Sequence, residues 1–223
     1  MTVLPVSVLV VAKAPVPGQA KTRLAAAVGD AAAADIAAAA LLDTLDAVAA
    51  APVSACVVAL TGDLNRANCQ AEIRTRLRAF TVIGQRGDDF ADRLANAHAD
   101  TALAVGERPV LQIGMDTPQV TPELLAGCAR TLLDSQAVLG MARDGGWWVL
   151  GVANAAMADC LRGVPMSRPD TGAVTLEELR DTGIDVTLVE ELHDVDTVDD
   201  IDAVRRACAP GGRFARVTRA VGV

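Results

Sequence analysis

Val6-Ser7-Val8-Leu9-Val10-Val11-Ala12 runs directly into Lys13-Ala14-Pro15-Val16-Pro17-Gly18-Gln19-Ala20-Lys21-Thr22-Arg23-Leu24. The first segment is an almost unbroken apolar, β-branched run, the pattern of a strand buried on both faces. Strands of that kind belong to parallel sheets covered by helices. The second segment is a loop stiffened by Pro15 and Pro17, with Gly18 allowing backbone N–H groups close to a ligand. Lys13, Lys21, Thr22 and Arg23 give it three cations and a hydroxyl, the combination of point charge and guanidinium fork that a phosphate chain needs. An ordinary solvated loop is the bland alternative. Against it stands the chain's use of basic residues: Lys13 and Lys21 are its only lysines, and the rest of its 20 Lys+Arg are arginines.

Working outward, apolar runs alternate with helical patterns. Strands are expected at Ala55–Leu60, Phe80–Ile83, Val110–Ile113, Ala137–Ala142, Trp147–Val152 and Val186–Glu190. Helices are expected from Gly29-Asp30 to about Ala50, and over Asn65–Leu77, Asp89–Val105, a stretch opened by Thr121-Pro122, Thr171–Thr182 and Val198–Cys208. In the alanine-rich helix, Leu41, Leu45 and Val48 share one face and Asp35, Asp43 and Asp46 lie roughly opposite. Pro210-Gly211-Gly212 breaks the pattern, so residues 209–223 read as a mobile basic tail after a domain spanning 1–208. The alternation predicts a single three-layer α/β/α domain with a mainly parallel, mixed sheet. Ligands in such sheets sit at the carboxyl ends of the strands.

The 223 residues carry 20 Lys+Arg against 28 Asp+Glu, a net charge of −8. That acidity argues against nucleic acid or an anionic membrane as partner. Three phenylalanines, two tryptophans and no tyrosine are too few for base-stacking platforms. No apolar run is long enough for a membrane span. With no basic residue before it, the apolar stretch Val6–Ala12 reads as a first strand and not a signal peptide. Five scattered cysteines, without a CxxC pair or a histidine cluster, suggest a reduced, cytoplasmic protein.

Five further places carry candidate chemistry beyond the basic loop's Lys13, Lys21 and Arg23, with Pro17, Gly18 and Thr22. Gly114-Met115-Asp116-Thr117-Pro118 follows a central strand, where a carboxylate suits Mg²⁺ or Mn²⁺; a turn cap is the alternative for Asp116. Asp194-Val195-Asp196-Thr197-Val198-Asp199-Asp200 places Asp194 and Asp196 on one side of an extended segment, with capping of the last helix as the competing use. Its DxDxT string is not that of a haloacid-dehalogenase phosphatase, whose nucleophile strand comes first. Asp144-Gly145-Gly146-Trp147-Trp148 is a tight turn open to a ligand or a plain hairpin; only one of its adjacent tryptophans can face the crevice. Arg93, at the start of a helix, is a further cation. Asp170-Thr171-Gly172 reads as an N-cap or part of an acceptor pocket, and His98 and His193 read as structural or exposed residues. Neither GxxxxGK[ST] nor GxGxxG is present, which removes a Walker P-loop and a dinucleotide fingerprint.

In order, KAPVPGQAKTRL, GMDTPQVTPELL, DGGWWVLGV and DVDTVDDI resemble the radical-SAM/selenodomain-associated transferase family 1, over about residues 6–208. That family lies in the nucleotide-diphospho-sugar transferase (GT-A) superfamily. The first motif is also similar to 2-phospho-L-lactate guanylyltransferase, and the last to the end of CMP-KDO synthetase. The resemblance implies a GT-A-like, Rossmann-type fold and a metal-dependent transferase using an NTP or an NDP-sugar and a small acceptor. It implies Asp116 and Asp196 as ligands for Mg²⁺ or Mn²⁺, with Asp194 in reserve. Asp144, Gly145, Gly146 and Trp147 would then face the substrate. Nucleotidyl transfer is the favoured reaction because the K…KTR loop suits a triphosphate. Glycosyl transfer is the alternative, with Asp144 or Asp92 as base, and a non-catalytic nucleotide-binding module the third. The chain departs from the family at Trp147-Trp148, at Phe90-Ala91-Asp92-Arg93 and at Met166-Ser167-Arg168.

Overall fold

A computed structural model describes residues 2–223. The strands are β1 (Leu4–Lys13), β2 (Val53–Thr61), β3 (Thr81–Gly84), β4 (Val110–Gly114), β5 (Ala137–Ala142), β6 (Trp147–Val152) and β7 (Val186–Leu192). The helices are α1 (Thr22–Val28), α2 (Asp30–Ala50), α3 (Gln70–Leu77), α4 (Phe90–Val105), α5 (Pro122–Leu133), α6 (Thr171–Asp181), α7 (Val198–Ala207) and α8 (Arg213–Val221), with 3₁₀ turns at Leu64–Arg66 and Ala155–Gly163. The strands form one seven-stranded sheet in the order β3-β2-β1-β4-β6-β5-β7. Only β6 runs antiparallel to its neighbours. This is the expected three-layer, mainly parallel, mixed α/β architecture.

Layering follows from strand alternation. Val6, Val8 and Val10 of β1 face a core shared with Leu41 and Leu45 of α2 and Leu125 and Leu132 of α5. Leu9 and Val11 point the other way, toward Leu94, Ala95 and Ala97 of α4 and Leu161 of the second 3₁₀ turn. β1 is therefore buried on both faces, as its unbroken apolar run requires. The strand order reverses between β1 and β4, and in open α/β sheets the carboxyl ends at such a switch point are where ligands bind.

Three expectations change. The polar face of α2 is not left to solvent. Ala33, Ile36, Ala39 and Ala40 form a third apolar cluster with Val204 of α7 and Phe214 of α8. Small alanine side chains let helices approach α2 from both sides. Residues from 209 onward are not a loose tail: α8 packs on α2 with Phe214 fully buried. The Asp43 carboxylate accepts from the Arg213 and Phe214 backbone N–H groups at 3.1 and 2.9 Å, capping the helix from outside its own segment. The helix expected over Asn65–Leu77 is interrupted at Cys69, whose φ of 53° precedes α3.

Candidate active site

The loop after β1 is anchored by its first residues and by Ala20. Ala14, Pro15, Val16 and Ala20 are buried, whereas Lys13, Pro17, Gly18, Gln19, Thr22 and Arg23 are exposed. Ala14 and Val16 pack on Ala67, and the Asn68 N–H donates to the Pro15 carbonyl at 3.0 Å. Gly18 has φ +74°, and a Cβ there would lie 3.2 Å from Asp30 Oδ2. The positive φ favours glycine there, and an added Cβ would press on the Asp30 carboxylate at the start of α2.

Lys21 ends the loop in the left-handed region, φ 48° and ψ 51°, as N-cap of α1. That backbone turn sends its side chain across the switch point. Lys21 Nζ donates to Asp116 Oδ2 at 2.7 Å and also to the Val195 carbonyl. The Val195 N–H in turn donates to the Asp116 carbonyl at 3.1 Å. Lys21 thereby joins the ends of β1, β4 and β7. Its side chain is 12% exposed and that of Asp116 35%. Burial works against the ammonium charge, but Asp116, then Asp196 and Asp194, outweigh it and raise the Lys21 pKa.

Arg23, two residues further on, pairs with Asp196. Asp196 lies just before α7, whose capping box is closed by Thr197 and Asp200. Capping is therefore done by neighbours, and the Asp196 carboxylate is left to face Arg23. Asp194 has no such cation of its own. Its pKa is pushed up to about 6, first by burial and then by the charges of Asp144 and Asp116, against the pull of Lys21. Asp144 reaches this group because β5 and β7 are parallel neighbours and end on the same edge.

The Asp144–Gly146 turn is a true hairpin turn, with Asp144 Oδ1 accepting the Gly146 N–H at 2.7 Å. It also has a tertiary partner. The Gly172 N–H donates to the Gly145 carbonyl at 2.8 Å, and a Cβ on Gly145 would collide with the Pro169 carbonyl. Gly145 and Gly146 therefore seat the start of α6. Trp148 is buried, its indole N–H donating to the Glu190 carbonyl at 2.7 Å, while Trp147 is half-buried on the opposite face.

The structure brings Lys21, Arg23, Asp116, Asp194, Asp196 and Asp144 to one edge. Lys13 is close by through its backbone, whose N–H donates to Met115 Sδ at 3.1 Å. Arg93 stays with its own segment, its Nε donating to the Gly87 carbonyl at 3.4 Å. Asp92 is held by Arg162 at 2.8 Å, so it is not a free base. Gln119 carries a contact not read from the sequence. Its side-chain amide donates to the His193 carbonyl, strapping the loop after β4 to the loop after β7. The only hint was its place three residues beyond Asp116.

Asp116, Asp194 and Asp196 carboxylates and the Val195 carbonyl are hard oxygen donors of the kind Mg²⁺ and Mn²⁺ take. Among the described residues no three acidic, histidine or cysteine side chains are grouped so that they could hold a metal ion by themselves. Among the described residues no helix is long and apolar enough to cross a membrane.

Comparison with known proteins agrees with this architecture. A crystal structure from Desulfovibrio desulfuricans G20, provisionally named a nucleotide-diphospho-sugar transferase, superposes with a TM-score of 0.83 at 26% identity, covering 97% of this chain and 96% of that one. A nucleotidyl transferase from Methanothermobacter thermautotrophicus shares the fold with a TM-score of 0.59 at 20% identity over 95% and 98% of the two chains. So does CMP:2-keto-3-deoxy-manno-octonic acid synthetase in complex with CTP, with a TM-score of 0.52 at 14% identity over 91% and 97%. No curated protein matches the sequence. The family described as "Uncharacterized protein conserved in bacteria (DUF2064)" matches residues 44–168, more than half of the chain, and the protein belongs to that family.

Proposed function

We propose that the protein is a metal-dependent nucleotidyltransferase that moves an NMP unit from an NTP to a small phosphorylated acceptor. The observation that carries this reading is the convergence of Lys21 and Arg23, from the loop after β1, on carboxylates from the ends of β4 and β7 at the switch point. The acceptor's phosphate oxygen would attack the α-phosphorus while the bond to the bridging oxygen of the β-phosphate breaks, releasing pyrophosphate. An ionised phosphate acceptor needs no general base, which fits a site without a histidine or cysteine partner. Lys13, Lys21 and Arg23 would hold the β- and γ-phosphates as charge moves onto them. Thr22 and the loop around Pro17 and Gly18 line the same approach. Asp116 and Asp196 would hold Mg²⁺ or Mn²⁺, with Asp194 beside them. A bound metal supplies charge neutralisation and alignment of the phosphates.

A second reading is favoured by the similarity to the Desulfovibrio structure. It is a GT-A glycosyltransferase using an NDP-sugar. With Asp92 engaged by Arg162, Asp144 is the remaining base among the residues considered. The test is to incubate the protein with Mg²⁺, each NTP in turn and a panel of phosphorylated acceptors, and to assay pyrophosphate. Acceptor-dependent pyrophosphate, lost in Asp116→Asn, supports nucleotidyl transfer. NDP release from NDP-sugars, with no pyrophosphate from any NTP, replaces it with glycosyl transfer.

A further inference from the structure

The carboxylates assigned to the metal are already paired with the cations assigned to the phosphates. Lys21 Nζ lies 2.7 Å from Asp116 Oδ2, is bonded to the Val195 carbonyl, and is almost out of solvent. Arg23 holds Asp196 in the same way, but from a side chain 65% exposed. The Lys21 ammonium thus sits among hard oxygen donors, where a cation of the solvent would otherwise be bound. Its backbone is in a left-handed conformation that non-glycine residues adopt at a cost. The contact therefore holds a residue that local preference would release.

We infer that Lys21 is the resident counter-ion of this site, and that its ammonium and a divalent cation exclude each other at Asp116. This regulatory step rests on the nucleotide-transfer reading above. A metal alone, taking Asp116 Oδ2, must break the Lys21–Asp116 pair and leave the ammonium with the Val195 carbonyl but no carboxylate. A phosphate chain alone must draw Lys21 away and leave Asp116 without a cation. When both arrive, the metal takes the carboxylate and the phosphate takes the lysine, so each offsets the cost of the other. The protein then binds metal and nucleotide together more tightly than either one by itself, a coupling between two ligands at adjoining positions.

The test uses Mn²⁺ alone, without nucleotide, with free Mn²⁺ read by electron paramagnetic resonance. In the wild-type protein only the fraction of molecules with Lys21 withdrawn is competent, which weakens the apparent affinity by that fraction. Lys21→Met is expected to bind Mn²⁺ at least about tenfold more tightly. Adding Asp116→Asn to that variant is expected to abolish the gain. Lys13→Met removes the same charge from the same loop without touching Asp116 and is expected to gain far less. Equal Mn²⁺ affinity in wild type and Lys21→Met, or an equal gain in Lys13→Met, overturns the inference.

A second measurement needs no variant. With only Lys13 and Lys21 in the chain, protein labelled with ¹³C,¹⁵N-lysine shows two ammonium signals. Titration with Mg²⁺ to saturation is expected to move the Lys21 signal toward that of a solvated lysine. A Lys21 signal unmoved at saturating Mg²⁺ overturns the exclusion. Pyrophosphate release by the wild-type protein is independent of both results, so this inference and the proposed reaction can fail separately.

Discussion

Two clusters of ion pairs sit at opposite ends of α2, and they are built on different terms. Beside α8, Arg213 bonds Asp43, Asp46 and Glu72, at 3.2, 2.7 and 2.9 Å, and Arg76 bonds Asp46 at 2.6 Å. Every carboxylate there has a cation, and the Arg213 guanidinium pKa is raised by its hydrogen bonds to Asp46, Asp43 and Glu72 although burial opposes the charge. Phe214, next to Arg213, is fully buried, so apolar packing fixes the arginine's position. At the sheet edge the bookkeeping does not close. Asp194 has Asp144 and Asp116 as charged neighbours, and Lys21, shared with Asp116, opposes them. One cluster is complete without a ligand, and the other holds negative charge in excess. That difference separates a structural charge network from a binding one.

The comparison breaks most visibly at Asp43. Asp43→Ala removes the outside cap of α8 and one partner of Arg213, leaving a half-buried guanidinium with fewer acceptors. The expected loss is about 3 kcal/mol of folding stability. Urea unfolding followed by circular dichroism measures it, and activity per folded molecule should be unchanged. A loss below about 0.5 kcal/mol, the usual scale of a surface pair, would make the two clusters equivalent.

The opposite sign is expected at Asp194. Its folded pKa, about 6, lies above the ordinary 3.8 because burial and the charges of Asp144 and Asp116 disfavour ionisation. A group with a raised folded pKa favours folding at low pH and loses that contribution as pH rises through the folded value. At neutral pH the ionised Asp194 therefore destabilises the fold. Asp194→Asn should stabilise by about 1 kcal/mol at pH 7.5, after discounting for its partial exposure. The gain should be full above pH 6 and fade as pH falls from 6 toward 3.8. Thermal melts of both proteins at pH 7.5 and pH 4 measure it. A gain that does not shrink at pH 4 would assign the effect to something other than the carboxylate charge.

What the sequence made legible follows the same division. The strands could be placed because fully buried strands leave continuous apolar runs, and β5 and β6 fall at the expected Ala137–Ala142 and Trp147–Val152. The Thr121 cap of α5 is local chemistry, its side chain accepting the Leu124 N–H at 3.2 Å. α8 was hidden because its cap, Asp43, lies 170 residues away from Arg213 in the chain. The Gln119–His193 strap spans 74 residues and was hidden for the same reason. At the candidate site the residue types were readable but their pairing was not. Lys21 was assigned to phosphate and Asp116 to metal, whereas their direct contact depends on β1 and β4 being neighbours in the sheet.

The smallest expected effect on stability is at Arg23, and it is the one that ties the two clusters together. Arg23 and Arg213 each bond carboxylates, yet the Arg23 side chain is 65% exposed against 21% for Arg213. An exposed pair gains little Coulomb energy in high dielectric and pays side-chain entropy for its geometry. Arg23→Ala should therefore change folding stability by less than about 0.5 kcal/mol. If the sheet edge binds a phosphate chain, the same substitution should weaken nucleotide binding by about tenfold, since a charge-assisted guanidinium–phosphate contact is worth about 1.5 kcal/mol or more. Paired urea melts and nucleotide titrations decide between the two uses of an arginine. Large destabilisation with unchanged nucleotide affinity would make Arg23 a second Arg213; near-native stability with weakened affinity places it where the folded chain leaves room for a ligand.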